Sequence, residues 1–378
     1  MFVLKGDIVT NGSILNDAFV QITDSKITYV GDAQPKSDAP LYEVNGFICP
    51  GFTDIHIHGV DGFDFMDKGA FQDISALLPK YGVTSYLATS RTAPISDIRQ
   101  FLEEAKLHSN TFNKAKMLGV HLEGPWISPS YSGAQSKDYI RKFSKTDLEE
   151  LIMPYAEIIN KITLAPEELD DFSNIKALED LDIQASAGHT NATIEEIGEA
   201  IAYGLRSLTH TFNAMSPIHH RTPGTAAAAL YYDDLFCEII TDGVHIHPMM
   251  IELLYRTKRK EKMILISDCT GYNKLPDGAY DLRGKELKRT GNQVTLKNGT
   301  LAGSAITLDK GIKYVVENCH IPLADAVFMA TETPISVVGT EKKLGRIEAG
   351  YEADLVILDR ELEVEKTIIN GKLIYEGV

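Results

Sequence analysis

The chain has 378 residues, of which 44% are hydrophobic and 24% charged, with a formal net charge of −16. That balance excludes a disordered chain and opposes general binding to nucleic-acid phosphates, while leaving room for a small anionic substrate held by one or two local cations. No uninterrupted apolar run approaches the roughly 18 residues of a membrane span, and Met1–Asp7 lacks the basic-then-apolar pattern of a secretion signal. The cysteines Cys49, Cys237, Cys269 and Cys319 form no Cys-x-x-Cys pair and read as free thiols of a cytoplasmic protein.

Residues 1–49 carry short alternating strands between turn signals: Phe2–Leu4, Asp7–Val9 before Asn11-Gly12, Ala18–Ile22 and Lys26–Val30. From Phe52 onward strands and helices alternate. Eight segments read as strands: 52–58, 84–90, 117–123, 161–166, 183–189, 207–213, 236–241 and 263–268. Ser144 opens a helix before Leu148–Ile152, and another covers Thr193–Ile201, ending near Gly204. Eight β/α units over about 280 residues predict an α/β fold, a (β/α)8 TIM-like barrel. Residues 272–304 break the rhythm with turns at Pro276-Asp277-Gly278 and Asn298-Gly299 and a strand-like Gln293–Leu296, so a β insertion over the barrel mouth is expected. Helices near 306–318 and 322–331 follow. The last residues return to strands, at Ala353–Leu358, Val364–Ile369 and Lys372–Tyr375. A small β-sandwich domain built from 1–49 and 340–378 is therefore expected around a barrel at 50–339.

Active sites of such barrels sit at the C-terminal strand ends. On the first strand His56 and His58 share a face, roughly 7 Å apart along it. Glu123 ends the third strand, His189 the fifth, His210 the sixth and Asp268 the eighth. Each alone also reads as a hydrogen-bonded core histidine or a solvated charge; together they form a ligand set. Imidazoles and a carboxylate suit Zn2+, Fe2+ or a similar divalent ion. Glu123 is placed to bridge two ions, with His56 and His58 on one and His189 and His210 on the other. Such a site lowers the pKa of bound water from about 15.7 to about 7. Asp268 then moves a proton from that water to the leaving group. The chemistry is metal-assisted hydrolysis.

Six segments carry a more specific signal. They are Pro50-Gly51-Phe52-Thr53-Asp54-Ile55-His56-Ile57-His58-Gly59, His121-Leu122-Glu123-Gly124-Pro125-Trp126, Ser186-Ala187-Gly188-His189-Thr190-Asn191-Ala192, Leu208-Thr209-His210-Thr211-Phe212-Asn213-Ala214-Met215, Asp242-Gly243-Val244-His245 and Leu301-Ala302-Gly303-Ser304. Together with Gly350–Val356 they make the chain resemble the N-acetylglucosamine-6-phosphate deacetylases of the amidohydrolase superfamily. The resemblance implies removal of the N-acetyl group from N-acetylglucosamine 6-phosphate, or from its galactosamine epimer or another N-acetylated amino-sugar phosphate. It implies that Glu123, His189 and His210 bind the main metal and that Asp268 is the acid/base. Asn213, Ala214, Arg221 and His245 would contact substrate, while Ala134 and Leu301-Ala302-Gly303 would line the sugar pocket. Family members differ at the first strand, so one or two ions per subunit are implied, and both histidines here favour two. A homodimer is implied, with the partner near the phosphate end.

The residue chemistry agrees with those roles. Arg221 offers a planar fork that clamps a phosphate bidentately. His219 and His220 read as its loop neighbours, His247 as structural or as a support behind the site, and His108, His121 and His320 as structural; Trp126 reads as packing its loop. A scaffold protein would need neither the ligand set nor Asp268. A cyclic-amide hydrolase would favour a lysine at the end of the fourth strand, which here reads Leu164-Ala165-Pro166-Glu167.

Overall fold

The computed structural model describes residues 1–108, 114–339 and 343–377, so the boundary expected at 339/340 abuts residues that lie outside the described ones. Four strands open the chain: β1 (Phe2–Thr10), β2 (Ser13–Thr23), β3 (Lys26–Gly31) and β4 (Leu41–Pro50). The strands expected at 2–4 and 7–9 are one, because β2 and β4 pair with β1 on both sides, and only register shifts near Gly6 mark the break. β4 is an addition to the expected elements. Its first half, 41–45, is largely exposed and shows no clean apolar alternation, and its apolar Phe47-Ile48-Cys49 run is short.

The eight expected barrel strands are all present: β5 (Phe52–Ile57), β6 (Val83–Thr89), β7 (Lys116–Glu123), β8 (Ile159–Leu164), β9 (Gln184–Ala187), β10 (Leu205–Leu208), β11 (Phe236–Ile240) and β12 (Met263–Ile266). They pair in sequence order, all parallel. Asp268 N–H donates to His56 O at 2.9 Å and His58 N–H to Cys269 O at 2.9 Å, which joins the last strand to the first. Covered on both faces, these strands read as continuous runs such as Met-Ile-Leu-Ile of β12, buried throughout. The helix expected over 193–201 spans Ile194–Ala202, with Thr193 and Glu196 forming a reciprocal cap. The stretch that Ser144 caps is one α-turn, Lys145–Asp147, widening into a π-type turn at Leu148–Ile152.

The insertion is a four-stranded antiparallel sheet of β13 (Gly278–Leu282), β14 (Lys285–Thr290), β15 (Gln293–Leu296) and β16 (Leu301–Ser304). Its small core gathers Tyr272, Leu287, Val294, Ala302 and Ala305. Helices Leu308–Asn318 and Leu323–Met329 follow, close to the expected ranges.

β17 (Leu355–Leu358), β18 (Val364–Ile369) and β19 (Lys372–Glu376) complete a seven-stranded sheet ordered β19-β18-β17-β4-β1-β2-β3. The sheet wraps on itself: Ile27 N–H donates to Tyr351 O at 2.9 Å, and Gly350 N–H to Ile27 O at 2.8 Å. Ile22 and Ile27 from one end therefore share a core with Leu355 and Ile368 from the other. Burial of each such side chain stabilises by about 1.5–3 kcal/mol. Between this sheet and the barrel lies Gly51 alone; a Cβ there would sit 2.1 Å from Thr84 Oγ1, so only glycine lets β4 run straight into β5.

Candidate metal-dependent active site

The six ligand-type residues reach the barrel mouth by two local devices. His56 is the penultimate residue of β5, His58 lies one past its end, and Glu123 is the last residue of β7. His189, His210 and Asp268 each stand two residues beyond the ends of β9, β10 and β12. All three are left-handed, with φ of 48°, 31° and 47°. Leaving the extended conformation there stops the strand and bends the side chain inward, at a cost of about 1–2 kcal/mol per residue that the surrounding fold offsets.

Glu123 is the hub. Its Oε1 lies 3.1 Å from His210 Nε2, 3.3 Å from His189 Nε2 and 3.4 Å from His56 Nε2, and its Oε2 lies 3.3 Å from His58 Nε2. Asp268 Oδ1 lies 3.2 Å from His58 Nε2 and 3.5 Å from His56 Nε2. Two buried triads, His56/His58/Asp268 and Glu123/His189/His210, can each hold an ion. Asp268, expected as a proton carrier, thus also stands among ligand atoms.

The hydrogen bonds behind the rings test the fit. His189 Nδ1 meets Tyr131 O at 2.8 Å and His58 Nδ1 meets Thr89 O at 3.3 Å. Carbonyl oxygens only accept, so these Nδ1 atoms carry the protons and a neutral ring turns a bare Nε2 into the site. His189 and His210 bring their Nε2 atoms within 3.1 Å of each other. His56 Nε2 is buried with no hydrogen-bond partner. Lone pairs gathered against carboxylate oxygens call for a cation between them, so the residues fit a divalent ion. Burial pushes the Glu123 carboxyl up, but the surrounding imidazoles of His56, His189 and His210 outweigh it and hold the group well below the usual carboxylate range. Asp268 is likewise lowered, burial being outweighed by His56 and His58. Burial lowers His210.

Over this floor opens a cavity of about 380 Å³, within the range of small-molecule sites. It is lined by His58, Glu123, His189, His210 and Asp268, and by the expected Ala134, Asn213, Ala214, His245, Leu301, Ala302 and Gly303. His56 sits beneath it. Arg221 is the one expected site residue placed elsewhere: it is exposed, and its Nη1 lies 2.8 Å from His220 Nε2 rather than in the cavity. His245 is held by Asp242, Nδ1 to Oδ2 at 2.6 Å, and Asp242 also accepts the Val244 and His245 N–H groups at 2.9 Å. Burial alone would lower the His245 pKa; the Asp242 carboxylate overrides it and raises it. Asp242 itself is lowered, burial being outweighed by His245.

Sequence reasoning missed several lining residues. Gln135 donates to Glu123 Oε2, and its position beside Ala134 was the available signal. Arg91, just past β6, and Lys285 of the insertion also line the cavity. Lys285 donates to Ala134 O at 2.9 Å, and burial, with Arg91 beside it, pushes its amine down to about 8. Three further histidines have structural partners. His121 Nε2 meets Thr163 Oγ1 at 2.7 Å, His108 Nε2 meets Ser75 Oγ at 2.8 Å, and His247 caps the helix Pro248–Lys262. Trp126 is buried against Phe143, donating to Asp147 Oδ2 at 3.2 Å. All four cysteines are buried and free; burial pushes the Cys269 thiol, beside Asp268, up to about 12, which removes it as a nucleophile.

Residues 47–374 match the amidohydrolase family. The chain is 36% identical to the N-acetylglucosamine-6-phosphate deacetylase of Bacillus subtilis, covering 97% of this chain and 95% of that one. It is 31% identical to an N-acetylgalactosamine-6-phosphate deacetylase of Escherichia coli, covering 97% of each. The crystal structure of N-acetylglucosamine-6-phosphate deacetylase from Thermotoga maritima superposes with a TM-score of 0.90 at 32% identity, over 100% of both chains. With its barrel and its full-length likeness in agreement, the chain belongs to the amidohydrolase family.

Proposed function

We propose that this protein is a metal-dependent deacetylase of N-acetyl-D-glucosamine 6-phosphate, releasing acetate and glucosamine 6-phosphate. The observation that carries the reading is the convergence of four imidazole Nε2 atoms and Asp268 around Glu123, at the floor of a cavity open to a sugar-sized molecule. Glu123, His189 and His210 would hold one ion and His56 and His58 a second, with Zn or Fe as the candidates. A bound divalent cation supplies Lewis acidity there, acidifying water and polarising the amide carbonyl.

The chain's own residues do the rest. Asp268, ionised at neutral pH, accepts the proton that the attacking water gives up, then returns it to the amide nitrogen as the C–N bond breaks. One water is consumed, its oxygen ending in acetate. His245, fixed through Nδ1 by Asp242, offers its other nitrogen to a sugar or acetyl oxygen. Asn213, Ala214, Ala134 and Leu301–Gly303 shape the sugar pocket. Arg221 stays in the reading as the phosphate clamp, acting where two copies of a homodimer meet, because its loop faces outward from its own chain. A cytoplasmic setting suits a phosphorylated substrate and four free thiols.

The likeness to the Escherichia coli relative favours one second reading, the galactosamine epimer as substrate. The test is acetate release from both 6-phosphates by protein of known metal content. Release from the glucosamine compound, lost on chelation and restored by a divalent ion, is expected. Faster release from the epimer moves the specificity, and no release from either by metal-loaded protein overturns the reading.

A further inference from the structure

Below the His56 ring, inside the barrel, lies an ion pair that the reaction does not use. Lys161, on β8, and Glu238, on β11, are 1% and 0% exposed in their side chains, and Lys161 Nζ contacts Glu238 Oε1. The other carboxylate oxygen, Glu238 Oε2, lies 3.1 Å from His56 Nδ1. Removing two charges from water costs several kcal/mol per ion, and a well-packed apolar pair of similar volume is often neutral or stabilising in its place. Stability therefore gives a poor account of this pair. Around the pair, Thr163 Oγ1 bridges His121 Nε2 and Thr209 Oγ1, at 2.7 Å each, and Ser186 Oγ meets Thr209 Oγ1 at 2.6 Å, while the carboxylates of Glu123, Asp268 and Asp54 also act on Lys161.

We infer that Glu238 is a positioning residue for the His56/His58/Asp268 ion, and that Lys161 is present to hold Glu238. A carboxylate oxygen facing Nδ1 takes the proton of that nitrogen in a hydrogen bond, which leaves His56 Nε2 bare and aimed at Glu123 and Asp268. His58 and His189 reach the same state through backbone carbonyls, from Thr89 and Tyr131. His56 has no carbonyl in that place and uses a side chain. A carboxylate left alone there would be a buried unpaired charge, and Lys161 compensates it from the far oxygen. Occupancy of the first-strand ion is thus set by two residues on the fourth and seventh barrel strands, neither of which touches ion or substrate. Loss of such an outer partner typically weakens metal binding about 10–100-fold.

The inference rests on His56 and His58 holding an ion, and the experiment separates the two claims. Metal-loaded protein is dialysed against graded chelator, and bound Zn per subunit is counted by elemental analysis for three variants. His58→Ala tests the underlying site. The doubles K161M/E238Q and K161M/E238L bury no charge and differ in the side-chain amide, whose oxygen can accept from His56 Nδ1. We expect H58A to lose one equivalent, K161M/E238Q to keep it, and K161M/E238L to release it at about 10–100-fold lower chelator strength while retaining the Glu123-held ion. If H58A binds as many ions as the unmodified protein, the metal reading of the first strand fails and takes the inference with it. If H58A loses its equivalent but the two doubles bind alike, or K161M/E238L sheds both ions together, the Glu238 role alone is overturned.

Discussion

The terminal sheet and the barrel mouth use the same backbone state for opposite ends. In the sheet, left-handed residues stand at hairpin turns and are mostly Asn or Asp: Asn11, Asp24 and Asn370 are followed by Gly12, Ser25 and Gly371 or sit beside such turns. Those side chains tolerate positive φ because they hydrogen-bond locally. At the mouth the left-handed residues are His189, His210, Phe212, Ala214 and Asp268, and Phe212 and Ala214 have no such compensation. The charges divide in the same way. The sheet pairs its own at the surface, as in Lys26–Glu352 at 2.9 Å, while the mouth buries Glu123 and Asp268. The sheet meets left-handed turns with residues that tolerate them; the mouth accepts unfavourable local states to bring distant side chains together.

That contrast is sharpest where activity and stability separate. Asp268→Asn should lower kcat by roughly 10²–10⁴ and leave the melting temperature and the Glu123-held ion nearly unchanged. Ile8→Ala in the sheet core should do the reverse, costing about 2–5 kcal/mol in denaturant unfolding with kcat of the folded fraction intact. A stability loss in the first or an activity loss in the second would erase the division. Next in size, Arg221→Ala should raise KM for the 6-phosphate by about 10–100-fold, from loss of a charged hydrogen bond, and leave the unphosphorylated sugar alone. Equal losses on both substrates would remove Arg221 as the clamp.

The Asp242–His245 pair should show in pH. With His245 raised in the folded state, its contribution is full below its unfolded pKa and is lost as pH rises through the higher folded value. With Asp242 lowered, its contribution is full above its unfolded pKa and is lost as pH falls through the lower folded value. Asp242→Asn should therefore cost most stability between about pH 4 and 6.5 and progressively less on either side; a pH-independent loss would point to packing alone. The smallest effect compares backbones. Ala214→Gly should stabilise by up to about 1 kcal/mol while raising KM, whereas Asn370→Gly should change neither. A matching gain at Asn370 would mean that the mouth stores nothing special.

How far the sequence could be read follows the same line. The barrel strands were legible because burial on both faces favours apolar runs, and the candidate ligands stood out because Glu, His and Asp fall at or just past the ends of those runs. β4 was not, since its first half is exposed without a clean apolar alternation and its partners β1 and β17 come from both ends of the chain. Of the insertion strands, β13 and β14 were hidden by their exposed and half-buried residues over a small core, and β16 by its length of four residues. Lys161 and Glu238 sit inside apolar strands, where a single charge reads as noise until the fold sets one against the other. Arg221 was legible as a cation beside His219 and His220, but not its outward direction.

The pairing of Leu355 with Pro50 has a consequence for the order of events during synthesis. At about 5–20 residues per second, the ribosome needs roughly 15–60 s between the two. Throughout that interval one side of β4 offers unpaired backbone groups, while the barrel that continues from it through Gly51 is still emerging. A nascent chain in that state is a target for strand-pairing mistakes. The edge is closed only when β17 arrives and pairs with Phe47–Pro50.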